Sequence, residues 1–282
     1  MLIAGIDIGS TITKVVIMED ETILNTVIEP TGAEHRRLAH EIMKKALEPI
    51  PEDFQRLDYI VATGYGRINV PFADTQISEI TCHMRGVHWL FPTVRTVIDI
   101  GGQDCKGIKV KNGKTGNFIM NDKCAAGTGR FLEIISDTLG LQLGDIGEIS
   151  LLSGEPAEIS KTCTIFAEQE ILLRLSEGVP VADILAGLHK ALAGRVFSMV
   201  SKIVIEKDVV MTGGGAKNAG LRKYLADRIG FPVLIPREPL ITGALGAAII
   251  AREKAQNLDQ GVIGSVKSGR QLEAVTFFNE NE

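Results

Sequence analysis

A near-repeat of one short segment is the feature that most constrains the fold of this 282-residue chain. The segment GIDIGSTITKVVI begins at Gly5, and VIDIGGQDCKGIKV begins at Val97. At a constant offset of 92 residues, identical polar or glycine positions include Asp7 and Asp99, Gly9 and Gly101, and Lys14 and Lys106. Each copy has the pattern of a strand, a glycine turn and a second strand. The sequence therefore predicts an α/β fold with two related lobes and duplicated phosphate-binding motifs.

Hydrophobic patterning predicts further elements around the two copies. Strands are expected at 2–8, 14–18, 22–27, 59–63, 209–212 and 231–235, and helices at 34–47, 77–88, 127–138, 164–176, 181–205, 219–228 and 242–256. We expect a first lobe at 1–95, a second lobe at 96–258 and a loosely ordered tail at 259–282. Whether the last helix returns to pack on the first lobe stays open.

Composition narrows the classes of function. The net charge is −5 and no basic stripe is found, which argues against a nucleic-acid partner. The apolar start lacks a basic region, and the apolar run at 243–251 is too short to span a bilayer. We therefore expect a cytoplasmic protein without a membrane partner, in which the cysteines stay reduced.

The first turn, DIGSTITK, has the composition of a phosphate-binding turn. Backbone and side-chain donors are expected from Ser10, Thr11, Ile12, Thr13 and Lys14, while Asp7 holds a magnesium-bound water. An ordinary hairpin with a polar turn is the alternative. The second copy favours the functional interpretation, because Asp7 and Asp99 would then approach from opposite lobes and share one metal–nucleotide complex.

The second turn, DIGGQDCK, differs from the first in a way that suggests hydrolysis. Beside Gly101 and Gly102 it carries Gln103 and Asp104, an amide and a carboxylate that could orient a water toward a terminal phosphate. The alternative is that both are solvated turn residues. The predicted catalytic set is therefore Asp7, Asp99, Gln103 and Asp104.

Two more glycine clusters are predicted to contact the nucleotide. VVMTGGGAKN offers Gly213, Gly214, Gly215 and Lys217 between a strand and a helix, which suits close approach to a sugar and base. Gly127 and Gly129 belong to the second cluster, CAAGTGRFLE. No GxxxxGK[ST] segment occurs, which excludes a P-loop NTPase.

Two of the four cysteines, Cys124 and Cys163, each precede a helical pattern, and neither belongs to a CxxC pair. A helix N-terminus favours the thiolate that metals and clusters bind, whereas a small buried residue is the alternative. Two thiols cannot complete a tetrahedral site, so if they bind a metal the simplest completion is a twofold dimer that supplies four thiols. Cys82 and Cys105 are predicted to be packing residues, and the five histidines surface or packing residues.

These motifs resemble one family: the activator ATPases of 2-hydroxyacyl-CoA dehydratases, related to the ATP-hydrolysing subunits of benzoyl-CoA reductases. The blocks that carry the resemblance are DIGSTITK, ATGYGR, VIDIGGQD, NDKCAAGTGRFLE, TCTIFAE, VVMTGGGAKN and GALGAA. The resemblance implies an actin-like, sugar-kinase-like ATPase fold that binds ATP and Mg²⁺. It also implies a homodimer with one bridging 4Fe-4S cluster, held by Cys124 and Cys163 of each protomer.

In such a protein the reduced cluster passes an electron to a partner enzyme while ATP hydrolysis drives a conformational change. The expected partner is a 2-hydroxyacyl-CoA dehydratase, and the expected electron donor is a ferredoxin or flavodoxin. An aryl-CoA reductase or another iron–sulfur reductase is an alternative partner. A small-molecule kinase and an actin-like scaffold are rival functions, and neither needs iron.

Overall fold

Two mixed sheets of five strands each organise the chain in the computed structural model, which describes residues 1–51, 54–159, 164–259 and Leu272. The strands are β1 Leu2–Ile8, β2 Ile12–Glu19, β3 Thr22–Pro30, β4 Tyr59–Thr63, β5 Thr75–Gln76, β6 Thr96–Ile100, β7 Cys105–Lys111, β8 Lys114–Asn121, β9 Val209–Thr212 and β10 Val233–Leu234. The α-helices are α1 His35–Leu47, α2 Glu79–Leu90, α3 Gly129–Thr138, α4 Ile146–Ser150, α5 Thr164–Ser176, α6 Val181–Val200, α7 Ala219–Ile229 and α8 Thr242–Asp259.

The chain divides into two units, Met1–Pro92 with Leu240–Glu282, and Thr93–Pro239. The first unit is therefore built from two separate stretches of sequence, and α8 belongs to it. In the part of the chain that the structure describes, no helix is both long and apolar enough to cross a membrane. The tail expected after residue 259 lies outside the described residues, apart from Leu272.

The first unit's sheet has the strand order β3-β2-β1-β4-β5. Strands β1, β2 and β3 are antiparallel neighbours, whereas β4 and β5 join in parallel. All seven residues of β1 are buried, because helices cover both faces of the sheet: α1 packs on one face, and α2 and α8 on the other. The end of β1 that carries Asp7 is therefore covered on both faces of the sheet.

The second unit repeats this arrangement with the order β10-β9-β6-β7-β8. Its central strand, β6, is again entirely buried and pairs antiparallel with β7 and parallel with β9. One core cluster includes buried side chains of β6 and β9 together with those of α3, α5, α6 and α7. The two copies of the sequence repeat are therefore the central hairpins of two sheets.

The structure confirms most of the predicted elements and corrects several. The helix expected at 181–205 ends at Val200, where a 3₁₀ turn follows, and Val204 has φ 58°. The strand expected at 231–235 is only Val233–Leu234. The pattern gives no sign of β8, because it is an edge strand with mostly exposed or half-buried residues. Cys105 lies at the first position of β7 and is buried, not in the turn.

Helix α8 packs against its neighbours through glycines. A Cβ at Gly246 would meet the carbonyl carbon of Cys82 on α2 at 2.6 Å and, closer still, its oxygen. A Cβ at Gly86 would likewise meet the backbone of Thr242, and one at Gly5 of β1 the backbone of Ala244. Backbone atoms cannot rotate away as a flexible side chain can. The helix can therefore reach the sheet only where side chains are absent.

We predict that Gly246→Ala lowers the free energy of unfolding by roughly 1–3 kcal/mol, because the added methyl forces α2 and α8 apart. Gly194→Ala is the matched control: Gly194 also lies inside a helix, but a Cβ there would meet nothing within 4 Å. That variant should be as stable as the wild type or slightly more stable, since alanine favours the helix. Urea unfolding measures both, and equal stability of the two variants would contradict the close packing.

Candidate active site

The two hairpins have the same backbone geometry at their turns. In the first, the amide of Gly9 donates a hydrogen bond to the carbonyl of Ile12 at 3.2 Å. In the second, the amide of Gly101 donates to the carbonyl of Asp104 at 2.9 Å. The register also matches, because Asp7 lies opposite Lys14 and Asp99 opposite Lys106. The repeat in the sequence is thus a repeat in structure.

Each hairpin holds a buried aspartate–lysine pair. Lys14 Nζ lies 3.2 Å from Asp7 Oδ2, and Lys106 Nζ lies 3.3 Å from Asp99 Oδ2. Both carboxylates are only 2% exposed, so each needs a partner to offset the loss of hydration. The lysine comes from the neighbouring strand and therefore fixes one oxygen of each aspartate. Both carboxylates remain at the end of a central strand.

A second repeat, which the sequence reasoning missed, completes the surroundings of each aspartate. The pattern V-x-T-G-x-G occurs at 61–66, across the end of β4, and at 210–215, across the end of β9. In register, Thr63 lies opposite Asp7 and Thr212 opposite Asp99. An alignment of VATGYG with VMTGGG would have revealed it. Each aspartate therefore lies between a lysine strand and a threonine–glycine strand.

The first glycine of this pattern is required by both conformation and space. Gly64 has φ 86° and Gly213 has φ 79°, values that side-chain-bearing residues rarely adopt. A Cβ at Gly64 would meet Asp7 Oδ1 and the carbonyl of Ile8, and one at Gly213 would lie 3.0 Å from Asp99 Oδ1. The chain turns directly over the carboxylate in both units.

Asp7 also lies beside the start of α8 and a buried histidine. A Cβ on Gly243 would lie 2.6 Å from Asp7 Oδ2 and 3.1 Å from His83 Nε2. The other ring nitrogen, His83 Nδ1, hydrogen-bonds the hydroxyl of Thr242 at 3.1 Å. The histidine expected to be a surface or packing residue is therefore buried close to a candidate catalytic carboxylate. No spacing in the sequence links positions 83 and 7.

The candidate donors of the first turn differ in burial and in hydrogen bonding. Ser10, Thr11 and Ile12 are half-buried, whereas Thr13 is fully buried and its hydroxyl hydrogen-bonds Thr31 Oγ1 at 2.8 Å. The Thr13 hydroxyl therefore holds β2 to the end of β3. The side-chain hydroxyls left at the turn are those of Ser10 and Thr11.

In the second turn, the two candidate water-orienting residues, Gln103 and Asp104, differ in whether they have an ion-pair partner. Gln103 is exposed, and Gly101 and Gly102 are half-buried. Asp104 Oδ2 lies 2.6 Å from Lys106 Nζ, so Lys106 is shared between Asp104 and Asp99. Asp104 is thus part of the ion-pair network of the turn, and Gln103 is not held by it.

Helix α3 begins against the second turn. The amide of Gly129 donates to the carbonyl of Gly101, and the amide of Arg130 to that of Gly102, both at 2.8 Å. A Cβ at Gly129 would lie 3.1 Å from the Gly101 carbonyl oxygen. Gly127, with φ 121°, is buried in the preceding bend. The first amides of α3 therefore hold the turn in place, where the sequence suggests contacts to a nucleotide.

Cys124 is exposed and lies outside the helix. The first residue of α3 is Gly129, with Thr128 at its N-cap, so the placement of Cys124 at the helix start is corrected. Its carbonyl accepts a hydrogen bond from Asn121 Nδ2 at 2.9 Å. The argument that the helix dipole favours a thiolate at Cys124 therefore loses its basis, because that effect falls off within the first turn. Cys163 lies outside the described residues.

The other two cysteines are buried, as the sequence predicts. Burial raises the pKa of the Cys82 thiol to about 12, and it raises the pKa of Cys105 further. Such thiols stay protonated and are poor metal ligands. Within the described ranges, no three histidine, cysteine, aspartate or glutamate side chains are grouped to hold a metal ion.

The glycine cluster of VVMTGGGAKN forms a 3₁₀ turn, Gly214–Lys217, between Gly213 and the N-cap of α7. The N-cap is Asn218, whose side chain accepts from the amide of Leu221 at 2.8 Å. Gly214 is exposed and Gly215 is buried against Ile100. Lys217 is exposed and pairs with Glu238 at 3.1 Å. A strand, a glycine turn and a capped helix thus follow one another as the sequence predicts.

Comparison with known proteins gives the family. A model of the BadF/BadG/BcrA/BcrD ATPase family matches residues 4–251. The chain belongs to this family. It is therefore an ATPase, and the match extends over the two aspartate–lysine hairpins and both V-x-T-G-x-G segments.

Similar proteins within the BadF/BadG/BcrA/BcrD family are named as dehydratase activators. The activator of lactoyl-CoA dehydratase from Anaerotignum propionicum is 45% identical over 260 residues, covering 91% of this chain and 99% of the relative. The (R)-2-hydroxyglutaryl-CoA dehydratase activating ATPase of Acidaminococcus fermentans is 43% identical over 253 residues, covering 89% and 97%. The solved structure of the 2-hydroxyisocaproyl-CoA dehydratase activator from Clostridium difficile with bound ADPNP has a TM-score of 0.87 at 41% identity, covering 94% and 99%.

Two more distant proteins are informative, one for the fold and one as a relative with a different name. A ROK family glucokinase from Streptomyces griseus has a TM-score of 0.55 at 16% identity, covering 90% of this chain and 100% of that one. This likeness supports the actin-like, sugar-kinase-like fold alone. A benzoyl-CoA reductase component from Thauera aromatica is 31% identical over 273 residues, covering 91% and 96%.

We predict that Gly64→Ala lowers the ATPase rate by at least roughly tenfold, because its Cβ collides with the Asp7 carboxylate while about 1–2 kcal/mol of backbone strain is added. Gly178→Ala controls for the strain: its φ is 79°, and a Cβ there would meet nothing within 4 Å. That variant should lose stability but keep its ATPase rate. Steady-state phosphate release with melting curves separates the two effects, and similar rates for both variants would count against a catalytic setting for Asp7.

Proposed function

We propose that the protein is an ATP-dependent iron–sulfur electron donor that reductively activates a 2-hydroxyacyl-CoA dehydratase. The observation that carries this proposal is the 43–45% identity, over most of the chain, to proteins named as activators of such dehydratases. ATP hydrolysis would be coupled to a low-potential one-electron transfer to the partner. A homodimer and a ferredoxin- or flavodoxin-type donor belong to the same proposal.

The residues of the two hairpins would carry the ATPase reaction. Asp7 and Asp99 lie at the ends of central strands, with one oxygen of each already paired to a lysine. We assign both aspartates to holding magnesium or its bound waters, because magnesium prefers oxygen ligands. The backbone and hydroxyls of both turns would bind phosphates, and the turn at 213–217 would face the sugar and base.

Gln103 is the better candidate for orienting the attacking water. Its amide is exposed, whereas the neighbouring carboxylate of Asp104 is already bound to Lys106 at 2.6 Å. An amide can donate to one water and accept from it at the same time. Asp104 would act by keeping Lys106, and through it Asp99, in position.

The proposed iron–sulfur cluster needs cysteine ligands, and the described residues contain one accessible thiol, Cys124. Cys124 is exposed on a segment without regular structure, so it can reach a second chain, whereas Cys82 and Cys105 are buried. A 4Fe-4S cluster would supply one-electron transfer at low potential. Cys124 and Cys163 of each protomer would together give it four thiolates, which no single chain can provide from these two positions.

The start of α3 gives a physical route by which the nucleotide state could reach Cys124. The amides of Gly129 and Arg130 hold the carbonyls of Gly101 and Gly102, and Cys124 lies five residues before Gly129. A shift of the phosphate turn must therefore move the start of α3 or break two hydrogen bonds. Either event would change the conformation of the segment that carries the thiol.

An aryl-CoA reductase is the second candidate partner, because the benzoyl-CoA reductase component from Thauera aromatica is 31% identical to this chain. The same ATPase and cluster residues would serve that reaction. A small-molecule kinase or an actin-like scaffold would share the fold alone and would have no use for iron.

We predict that Asp99→Asn removes most of the Mg²⁺-dependent ATPase activity, since the amide cannot carry the negative charge that holds the metal and Lys106. Asp227→Asn is the control, because Asp227 is an exposed partner of Lys223 on α7. Phosphate release at saturating MgATP should fall at least roughly a hundredfold in the first variant and stay unchanged in the second. Full activity of Asp99→Asn would show that the duplicated site has been misassigned.

We predict that protein purified without oxygen contains close to four irons per dimer, since two thiols from each copy complete the ligand set. Cys124→Ser and Cys163→Ser should each abolish the iron and the electron paramagnetic resonance signal after dithionite reduction. Cys82→Ser and Cys105→Ser should retain both, and ATP binding should persist in all four variants. Iron-free wild-type protein from a strictly anaerobic preparation would refute the electron-donor function and leave the kinase or scaffold.

A further inference from the structure

Thr212 makes a contact that no motif of the sequence indicates. It is the last residue of β9, its side chain is fully buried, and its hydroxyl donates a hydrogen bond to Asp99 Oδ1 at 2.8 Å. The other oxygen, Asp99 Oδ2, lies 3.3 Å from Lys106 Nζ. The lysine strand and the threonine strand thus hold the two oxygens of one carboxylate from opposite sides, since β6 lies between β7 and β9.

The equivalent threonine of the first unit behaves differently. Thr63 lies opposite Asp7 in the parallel ladder, as Thr212 lies opposite Asp99. Yet within the described residues its buried hydroxyl has no oxygen or nitrogen partner. It lies instead beside the Cys82 thiol, whose pKa it lowers against the larger effect of burial. Threonines at equivalent positions therefore differ: Thr212 bonds its aspartate, whereas Thr63 does not bond Asp7, which is paired with Lys14.

A purely structural need does not account for the Thr212 contact. Thr63 shows that a threonine at this position can be buried without bonding its aspartate. The bond from Thr212 also restricts rotation about χ2 of Asp99, because partners on two different oxygens hold a carboxylate more firmly than one of them does. A hydrogen bond to a charged group in a buried setting is among the stronger ones in proteins.

We propose that Thr212 is a positioning residue for ATP hydrolysis, which acts by fixing the orientation of the Asp99 carboxylate. The inference rests on the catalytic role proposed above for Asp99. Thr212 does not itself touch the reacting atoms. Its hydroxyl holds the plane of the Asp99 carboxylate in one rotation about χ2. Lys106, which pairs with Asp99, also pairs with Asp104 at 2.6 Å. Loss of the hydroxyl should therefore slow turnover without weakening substrate binding.

The test compares Thr212→Val, Thr212→Ser, Thr63→Val and Asp99→Asn in the full-length protein. Valine has nearly the shape of threonine but cannot donate, and serine keeps the donor. We expect Thr212→Val to lower kcat by roughly 10- to 100-fold, the range that the loss of a hydrogen bond to a charged group gives, with KM for MgATP within about twofold. Thr212→Ser should recover most of the lost kcat. Thr63→Val, the matched control, should keep kcat within about twofold.

The outcomes separate this inference from the role of Asp99. If Asp99→Asn is inactive while Thr212→Val turns over normally, Thr212 is not a positioning residue although Asp99 remains catalytic. If Asp99→Asn is fully active, the proposed role of Asp99 fails first. Equal loss of kcat in the serine and valine variants, or in Thr212→Val and Thr63→Val, would assign the effect to packing and overturn the proposal. Should the valine variant fold poorly, Thr212→Ala replaces it, judged by the same comparison with serine.

Discussion

The buried aspartate–lysine pair across each central hairpin is the interaction on which the rest of this structure depends. An isolated carboxylate at the end of a fully covered strand would bear a large desolvation penalty, so it would be protonated or expelled. The lysine on the adjacent strand offsets that penalty, at 3.2 Å in one unit and 3.3 Å in the other. Only then can a strand as apolar as β1 or β6 end in a charge that faces a glycine turn.

The duplicated pair also explains the pattern of small residues around it. The chain crosses the two carboxylates at Gly64 and at Gly213, where a Cβ would approach an oxygen of Asp7 or Asp99 too closely. The same logic applies at Gly243, where α8 starts beside Asp7. Glycines far from the sites have another purpose, as at Gly246 and Gly86, where α2 and α8 meet backbone to backbone. Glycine at these positions therefore marks either an approach to a charge or a close helix contact.

Long sequence patterns predicted their part of the fold and site, whereas short patterns and contacts between distant residues did not. The repeat at an offset of 92 residues and the long apolar strands predicted both hairpins and the α/β class. The ion pair between Asp7 and Lys14 was not predicted, because the sequence suggested that Lys14 binds phosphate. The V-x-T-G-x-G pattern is easily missed because it spans only six residues, and its first copy ends in the loop composition GYGR. Edge strand β8 was not predicted because none of its residues is fully buried and the strand lacks a regular alternation of apolar residues. The inward turn of Thr13 depends on Thr31, a contact across strands that no local pattern encodes.

Cys124 was predicted to lie at a helix N-terminus, but α3 begins five residues later, at Gly129. The first amides of that helix bond backbone carbonyls of the same chain. The glycine-rich stretch before α3 has the composition of an anion-binding N-terminus, but the amides of Gly129 and Arg130 already bond the carbonyls of Gly101 and Gly102. A peptide carbonyl can satisfy the first amides of a helix as well as a phosphate oxygen can. Sequence alone cannot tell the two apart, because the partner lies 28 residues earlier in the chain on a different turn. The helix that follows the Cys124 segment is therefore joined to the turn of the second hairpin by two backbone hydrogen bonds.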